Sequence, residues 1–126
     1  MSSPIVNIKD IIVGEKIGHG CTFVAKRNMT IAIVQCGYAD GLLKCFEKDG
    51  IVYYKKNIFP IIGRISMDLF AIDCKDYNFN IFDDVTIWGG NHKELKLEML
   101  SKKYQTIPYI FLTSVSNRVR RIYIDK

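Results

Sequence analysis

The chain has 126 residues, of which 48% are hydrophobic and 25% are charged. That length and composition fit one soluble globular domain over residues 1–126 and argue against a disordered protein. The sequence has no run of about 18 apolar residues, and its N-terminus lacks a charged segment followed by an apolar one. We therefore expect a cytoplasmic protein with no membrane partner.

The formal net charge is +5, and Arg118, Arg120 and Arg121 form its densest group of cations. A basic balance is compatible with binding to nucleic acid or to another anion. However, no basic helix or interleaved row of aromatic residues accompanies these arginines. Nucleic acid is therefore not the partner that we expect.

Metal binding is not predicted either. The four cysteines, Cys21, Cys36, Cys45 and Cys74, form no Cys-x-x-Cys pair and lie on apolar stretches, which favours reduced, buried thiols. The two histidines, His19 and His92, have no partner at ligand spacing.

The first half of the chain predicts strands over residues 5–12, 22–26, 30–36 and 51–54, because apolar and β-branched residues fill these segments between turn residues. Residues 30–36 are nearly continuous in apolar side chains, which predicts a central strand buried on both faces. The strand leads into Gly37-Tyr38-Ala39-Asp40-Gly41. Its glycines allow a sharp turn that presents Tyr38 and Asp40 outward, although Asp-Gly is also common in ordinary turns.

Residues 61–69 read Ile-Ile-Gly-Arg-Ile-Ser-Met-Asp-Leu, and we expect one strand to continue from them through residue 74. Side chains alternate along a strand, so Arg64, Ser66 and Asp68 would share one face. Such a polar row is either the solvated side of a half-buried sheet or the wall of a site. The pattern alone leaves both interpretations open.

The second half predicts a strand over residues 85–88 and a helix over 93–104, where Leu95, Met99, Leu100 and Tyr104 follow helical spacing. Pro108 is suited to the first turn of a second helix that runs to residue 115. Alternation returns over residues 118–125 and predicts a last strand. About eight strands with one or two short helices predict a mainly β domain, built as an antiparallel barrel or sandwich.

Three phrases occur in an order that is specific when taken together: residues 37–41; residues 63–68, Gly-Arg-Ile-Ser-Met-Asp; and Ile107-Pro108-Tyr109 followed by residues 118–123, Arg-Val-Arg-Arg-Ile-Tyr. Across residues 6–125 the chain resembles the C-terminal domain of alanine racemase. That family comprises fold-type III pyridoxal-phosphate enzymes that interconvert L- and D-alanine for bacterial peptidoglycan synthesis.

The resemblance implies a barrel-like β domain. In the family this domain follows an N-terminal (β/α)8 barrel whose lysine holds pyridoxal phosphate. Such a barrel needs on the order of 250 residues, so we expect the cofactor lysine to lie outside this chain. The isolated chain is then expected to be inactive. In the family, two subunits form a head-to-tail homodimer in which this domain completes the partner subunit's active site.

The resemblance also implies site residues. The backbone amide of Met67 would contact the substrate carboxylate, and Tyr38, Arg64 and Asp68 would line the active-site entrance. Asn117 matches a position close to the cofactor phosphate.

The resemblance implies one missing catalytic group. The family has a tyrosine base in a phrase that resembles Tyr-Gly-x-Thr-Tyr-x-Ala, where this chain reads His19-Gly20-Cys21-Thr22-Phe23-Val24-Ala25. We assign Phe23 to the place of the base. Phenylalanine keeps the ring but has no ionisable hydrogen, and His19 replaces the first tyrosine of the phrase. Two smaller departures are Ile110 and Arg120, where the family often has glutamate and proline.

Two other interpretations stay open at this point. The chain is alternatively a solitary or degenerate domain that serves as an interaction module, or a small basic β domain that binds RNA or another anion. The sequence does not show which amino acid would be racemised.

Overall fold

Six antiparallel strands form a closed barrel in the computed structural model, which describes residues 1–17, 20 and 23–123. Within that part of the chain the strands are β1 (Ser2–Ile11), β2 (Lys16–Ile17), β3 (Phe23–Val24), β4 (Met29–Val34), β5 (Ile51–Tyr54), β6 (Asn57–Ile62), β7 (Phe70–Asp73) and β8 (Asp84–Thr86). The barrel order is β1-β4-β7-β6-β5-β8, with β8 closing against β1, whereas β2 and β3 form a separate two-stranded ribbon. The predicted mainly β, antiparallel barrel is confirmed.

The continuous apolar run of β4 has a simple structural reason. Ala32 and Val34 belong to the main core, while Ile31 belongs to a second apolar cluster and Ile33 packs against it. Because side chains alternate along a strand, these two sets lie on opposite faces of β4. The predicted burial on both faces is therefore confirmed.

The ribbon of β2 and β3 contributes to this second cluster. Ile17 of β2 is buried in it, and Phe23 of β3 packs against it. Ile31, Ile62 and Ala71 are contributed by β4, β6 and β7. The ribbon thus covers apolar side chains that would otherwise face water on the outside of the barrel.

Two helices follow the barrel strands: α1 (Leu97–Lys103) and α2 (Pro108–Ser114). Leu100 and Phe111 are their buried apolar side chains, and the Phe111 ring meets Phe46 edge-on at 6.0 Å between centroids. The helix predicted from Pro108 is confirmed. The helix predicted over residues 93–104 is only partly right, because residues 93–95 form a 3-10 turn and the α-helix begins at Leu97.

The single strand predicted over residues 61–74 is wrong. β6 ends at Ile62 and β7 starts at Phe70, and residues 63–69 connect them as a loop. Gly63 has a φ of +71°, and the loop then closes on itself because the Ser66 N–H donates to the Leu69 carbonyl at 2.9 Å. The period-two argument that placed Arg64, Ser66 and Asp68 on one face consequently fails.

The last strand predicted over residues 118–125 is also wrong for residues 118–123, which pair with no strand of the described chain. Ile122 and Tyr123 are largely exposed, so the alternation there has no apolar surface to cover. Residues 124 and 125 lie outside the described residues.

The predicted burial of the cysteines is confirmed for Cys36 and Cys74. Cys36 and Cys74 are buried free thiols and Cys45 is half-buried, while Cys21 lies outside the described residues. Burial raises the pKa of Cys36 to about 11, so this thiol stays protonated at neutral pH. Within the described ranges, no group of three or more histidine, cysteine or acidic side chains is placed to bind a metal ion.

No helix in the described part of the chain combines the length and apolar character needed to cross a bilayer.

Phe82 supplies a stability prediction. It has a φ of +73° and its side chain is 77% exposed, so the ring gains little burial while the backbone occupies the left-handed region. We expect Phe82→Gly to raise the free energy of unfolding by about 0.5–1 kcal/mol, since glycine adopts this φ without the Cβ penalty. Urea unfolding measures the change.

The matched control is Ile81→Gly, at a neighbouring exposed residue that does not have positive φ. This variant should lose stability, because glycine there adds chain entropy to the unfolded state without relieving strain. A loss of stability in Phe82→Gly as well would contradict the argument.

Candidate functional site

Two loops meet at one end of the barrel because β4 and β7 are antiparallel neighbours. Val34 ends β4 and pairs with Phe70, which starts β7. The segment after β4 and the segment before β7 therefore emerge side by side. These are residues 37–41 and residues 63–69, the first two phrases singled out in the sequence.

Backbone hydrogen bonds join the two loops. The Tyr38 N–H donates to the Ser66 carbonyl at 3.1 Å, and the Ala39 N–H donates to the Met67 carbonyl at 3.0 Å. The Asp40 carboxylate closes the first loop by accepting the Gly37 N–H at 2.9 Å. The loops consequently form one unit.

Gly37 is required for this contact. A Cβ at position 37 would lie 2.3 Å from the carbonyl oxygens of Ser66 and Met67, closer than any side chain can approach backbone atoms. Gly41 is restricted as well: it has a φ of +99°, and a Cβ there would lie 2.0 Å from the Ser114 carbonyl oxygen. The two glycines of the phrase thus allow three backbone segments to come together.

The Ser66–Met67 peptide presents a free donor. The Ser66 carbonyl and the Met67 N–H belong to one planar trans peptide, in which they point in opposite directions. Since the carbonyl faces the 37–41 loop, the Met67 N–H faces away from it, and the same reasoning applies to the Asp68 N–H. Neither N–H has an acceptor among the described residues. Two adjacent N–H groups of this kind can bind an anion.

The base of this loop is fixed in the core. Ile65 is fully buried, and its N–H donates to a carboxylate oxygen of Glu47 at 2.6 Å. The Ser66 hydroxyl donates to the Leu69 carbonyl at 2.9 Å and accepts the Leu69 N–H at 3.0 Å. Residues on both sides of Met67 are thereby held, while the Met67 side chain is 51% exposed.

The third phrase reaches the same place through Arg118. Its Nη2 lies 2.7 Å from Asp68 Oδ1 and its Nε lies 3.4 Å from Asp40 Oδ1. The hydrogen bond to Asp68, followed by the charge of Asp40, raises the pKa of Arg118. The Ser116 N–H donates to the Asp40 carbonyl at 3.1 Å, so exposed Asn117 lies between two residues that contact the loops.

Arg64 lines a neighbouring groove of about 440 Å³. Ser66 and Leu69 line this groove, and Lys9 and Lys16 add two further cations. Ile17 of the ribbon forms part of its wall, and the rest of the lining is mostly apolar. The groove can accept a small ligand that carries negative charge at one end.

Phe23 belongs to the two-stranded ribbon rather than to the two loops. It pairs with Ile17 in the ribbon and lines a different depression, with Val24, Arg27 and Met29. Its ring is half-buried against the second apolar cluster. His19, at the start of the same phrase, lies outside the described residues.

The structure therefore brings Tyr38, Met67 and Asp68 into one site, with Arg64 at its side and Asn117 adjoining it. Phe23 lines a separate depression. Sequence reasoning missed the roles of Asp40, Glu47 and Arg118 in holding the loops. Arg118 stood within the third phrase, but its contact with Asp68 spans 50 residues, and no local pattern indicates such a contact.

Comparisons with known proteins point to one family. The profile of the family described as alanine racemase, C-terminal domain, matches residues 1–123. The alanine racemase of Vesicomyosocius okutanii is 38% identical over 119 residues, covering 94% of this chain and 33% of the relative. That of Coxiella burnetii is 37% identical over 127 residues, covering 100% of this chain and 34% of the relative.

Solved structures give the same result. The alanine racemase of Bartonella henselae, described with covalently bound pyridoxal phosphate, superposes with a TM-score of 0.87 at 33% identity, over 98% of this chain and 34% of the other. The Pseudomonas aeruginosa biosynthetic enzyme gives a TM-score of 0.86 at 30% identity, over 98% of this chain and 34% of the other.

The chain spans about a third of the length of the curated relatives that it matches. The matched profile, the sequence identity over nearly the whole of this chain and the shared fold together show that this chain belongs to the alanine racemase C-terminal domain family.

Proposed function

We propose that this domain completes the active site of an alanine racemase, which interconverts L- and D-alanine for peptidoglycan synthesis in the cytoplasm. The observation that carries the proposal is the fixed Ser66–Met67 peptide, whose N–H has no acceptor within the described chain. Family membership supports the reaction, and the free buried thiols of Cys36 and Cys74 suit a reducing compartment.

The Met67 N–H is the proposed donor to the substrate carboxylate. A carboxylate bound to a backbone N–H forms a charge-assisted hydrogen bond, which is stronger than a bond between neutral groups. The donor is held by the 37–41 loop before substrate arrives, so little reorganisation is needed on binding. The adjacent Asp68 N–H is suitably directed to support it.

Tyr38, Arg64 and Asp68 form the proposed entrance. Tyr38 is 42% exposed beside Met67, and Arg64 supplies a positive charge in the neighbouring groove. The charge of Asp68 is balanced by Arg118 at 2.7 Å. The entrance thus offers a cation to the carboxylate of an amino acid while its own carboxylate is already paired.

The loop segments of this site lack the side chain that binds pyridoxal phosphate covalently. None of the site segments 37–41, 63–69 and 114–118 contains a lysine to bind the cofactor covalently. Exposed Asn117 can contribute a neutral donor to the phosphate. When bound, the cofactor withdraws electrons from the α-carbon of the substrate. In our proposal an N-terminal barrel supplies the cofactor, and this domain binds the carboxylate and restricts access.

The exposed site also supports a homodimer. Tyr38 and Met67 lie at one end of the barrel and are 42% and 51% exposed, and the Met67 N–H is directed away from the 37–41 loop. Such an exposed surface can form only one side of a binding site. We propose that the barrel of a second subunit provides the other side, in a head-to-tail arrangement.

A domain exchange tests the proposed function. This chain should replace the matching C-terminal third of the Coxiella burnetii enzyme, to which it is 37% identical. The chimera should racemise alanine, but more slowly than the parent enzyme because residue 23 is phenylalanine. The chain alone, with added pyridoxal phosphate, should show no turnover. Activity is measured as exchange of the α-proton for deuterium by NMR. A folded, cofactor-loaded chimera without activity would contradict the proposal.

The missing tyrosine is tested in the same chimera. Phe23→Tyr should raise the rate of abstraction from L-alanine by about 10²-fold, because a positioned proton carrier contributes typically 10²–10⁴. His19→Tyr is the matched comparison, since both residues stand where the family phrase has tyrosine. A rise confined to His19→Tyr would show that the base position is residue 19 and that Phe23 serves in packing.

Gly37→Ala tests the Met67 contact. The added methyl group would displace the Ser66 and Met67 carbonyls, so we expect the KM for alanine to rise by about tenfold or more, the loss of a charge-assisted hydrogen bond. Gly14→Ala is the control, because its Cβ has nothing within 4 Å although φ is +94°. Gly14→Ala should lower the free energy of unfolding slightly and leave KM unchanged. An equal KM for Gly37→Ala and the parent would contradict the assignment.

A further inference from the structure

We propose that Arg118 is the positioning residue that holds the Met67 amide in its substrate-binding orientation. The inference rests on the proposed function for its catalytic consequence, but its structural part stands on the contacts of this chain alone. Arg118 belongs to the segment after α2, and it contacts both loops that form the site.

The contacts form a closed chain of bonds. Arg118 binds Asp68, which follows Met67 directly, and also Asp40, whose other carboxylate oxygen accepts the Gly37 N–H. Residues 38 and 39 then donate their N–H groups to the carbonyls of Ser66 and Met67. Arg118 therefore fixes one end of each loop while the backbone bonds fix the middle, and the Met67 peptide lies between these points.

Charge explains why an arginine suits this position. The Asp40 side chain is only 16% exposed. One of its carboxylate oxygens accepts the Gly37 N–H, and in the described chain Arg118 is the cation within 4 Å of the other oxygen. Asp68 is 55% exposed and binds a different nitrogen of the same guanidinium. A planar guanidinium can serve two carboxylates at once through separate N–H groups, whereas the ammonium of lysine is a compact point charge.

The expected effect is local. Arg118 is 51% exposed, so its ion pairs are screened by water and contribute little to the stability of the whole domain. The side chains of Arg118, Asp40 and Asp68 are not part of the hydrophobic core of the barrel. Loss of Arg118 should therefore loosen the two loops without unfolding the strands.

Amide hydrogen exchange on the 126-residue chain provides the first test. In Arg118→Met, the Tyr38 and Ala39 amides should exchange about fivefold faster, the size of effect expected for exposed ion pairs. The amides of β4 should be unchanged. Arg118→Lys should restore part of the protection, and Arg120→Met, which removes the same charge two residues away, should exchange like the parent.

Kinetics of the chimera provide the second test. Arg118→Met should raise the KM for alanine by about fivefold with kcat nearly unchanged. The same substitution should raise KM less in an Asp68→Asn background, because the two changes remove one interaction. Parent-like exchange in Arg118→Met overturns the inference, and so does an unchanged KM in an active chimera. If the chimera is inactive while the exchange result is obtained, the proposed function fails and the structural role of Arg118 stands.

Discussion

The orientation of the Ser66–Met67 peptide is the constraint on which the site depends. Two backbone N–H groups of the 37–41 loop hold consecutive carbonyls of the 63–69 loop, and planar peptides then direct the opposite N–H groups away from that loop. In the proposed site the substrate contact is made by the backbone, and the side chains around it serve to hold the backbone in place. This explains why the site contains glycines at positions where a methyl group would intrude.

The barrel makes this arrangement possible by bringing distant segments to one end. Val34 and Phe70 are paired neighbours although they lie 36 positions apart in the sequence, so the loops that follow and precede them are adjacent. The segment after α2 reaches the same end because Gly41 allows a close approach to Ser114. Strand pairing sets the coarse placement, and hydrogen bonds between loops set the fine placement.

Much of this could be predicted from sequence, for identifiable reasons. The apolar run of residues 30–36 indicated a strand buried on both faces, and Pro108 indicated a helix start, because these signals are local. The unbroken strand over residues 61–74 was predicted wrongly because the sequence pattern does not show that Ser66 bonds to Leu69. The motif resemblance named Tyr38, Met67 and Asp68, but not the role of Arg118, which depends on a contact between residues far apart in the chain.

The closed barrel has a consequence for the solution behaviour of the isolated domain. A sheet that ends in unpaired strands exposes N–H and carbonyl groups to any other chain, and this invites joining of sheets between molecules. The six barrel strands are paired around the full circle, with β8 bonded to both β1 and β5. Copies of this domain are thus protected from fibre-like aggregation through these strands, even when the exposed site has no partner opposite it.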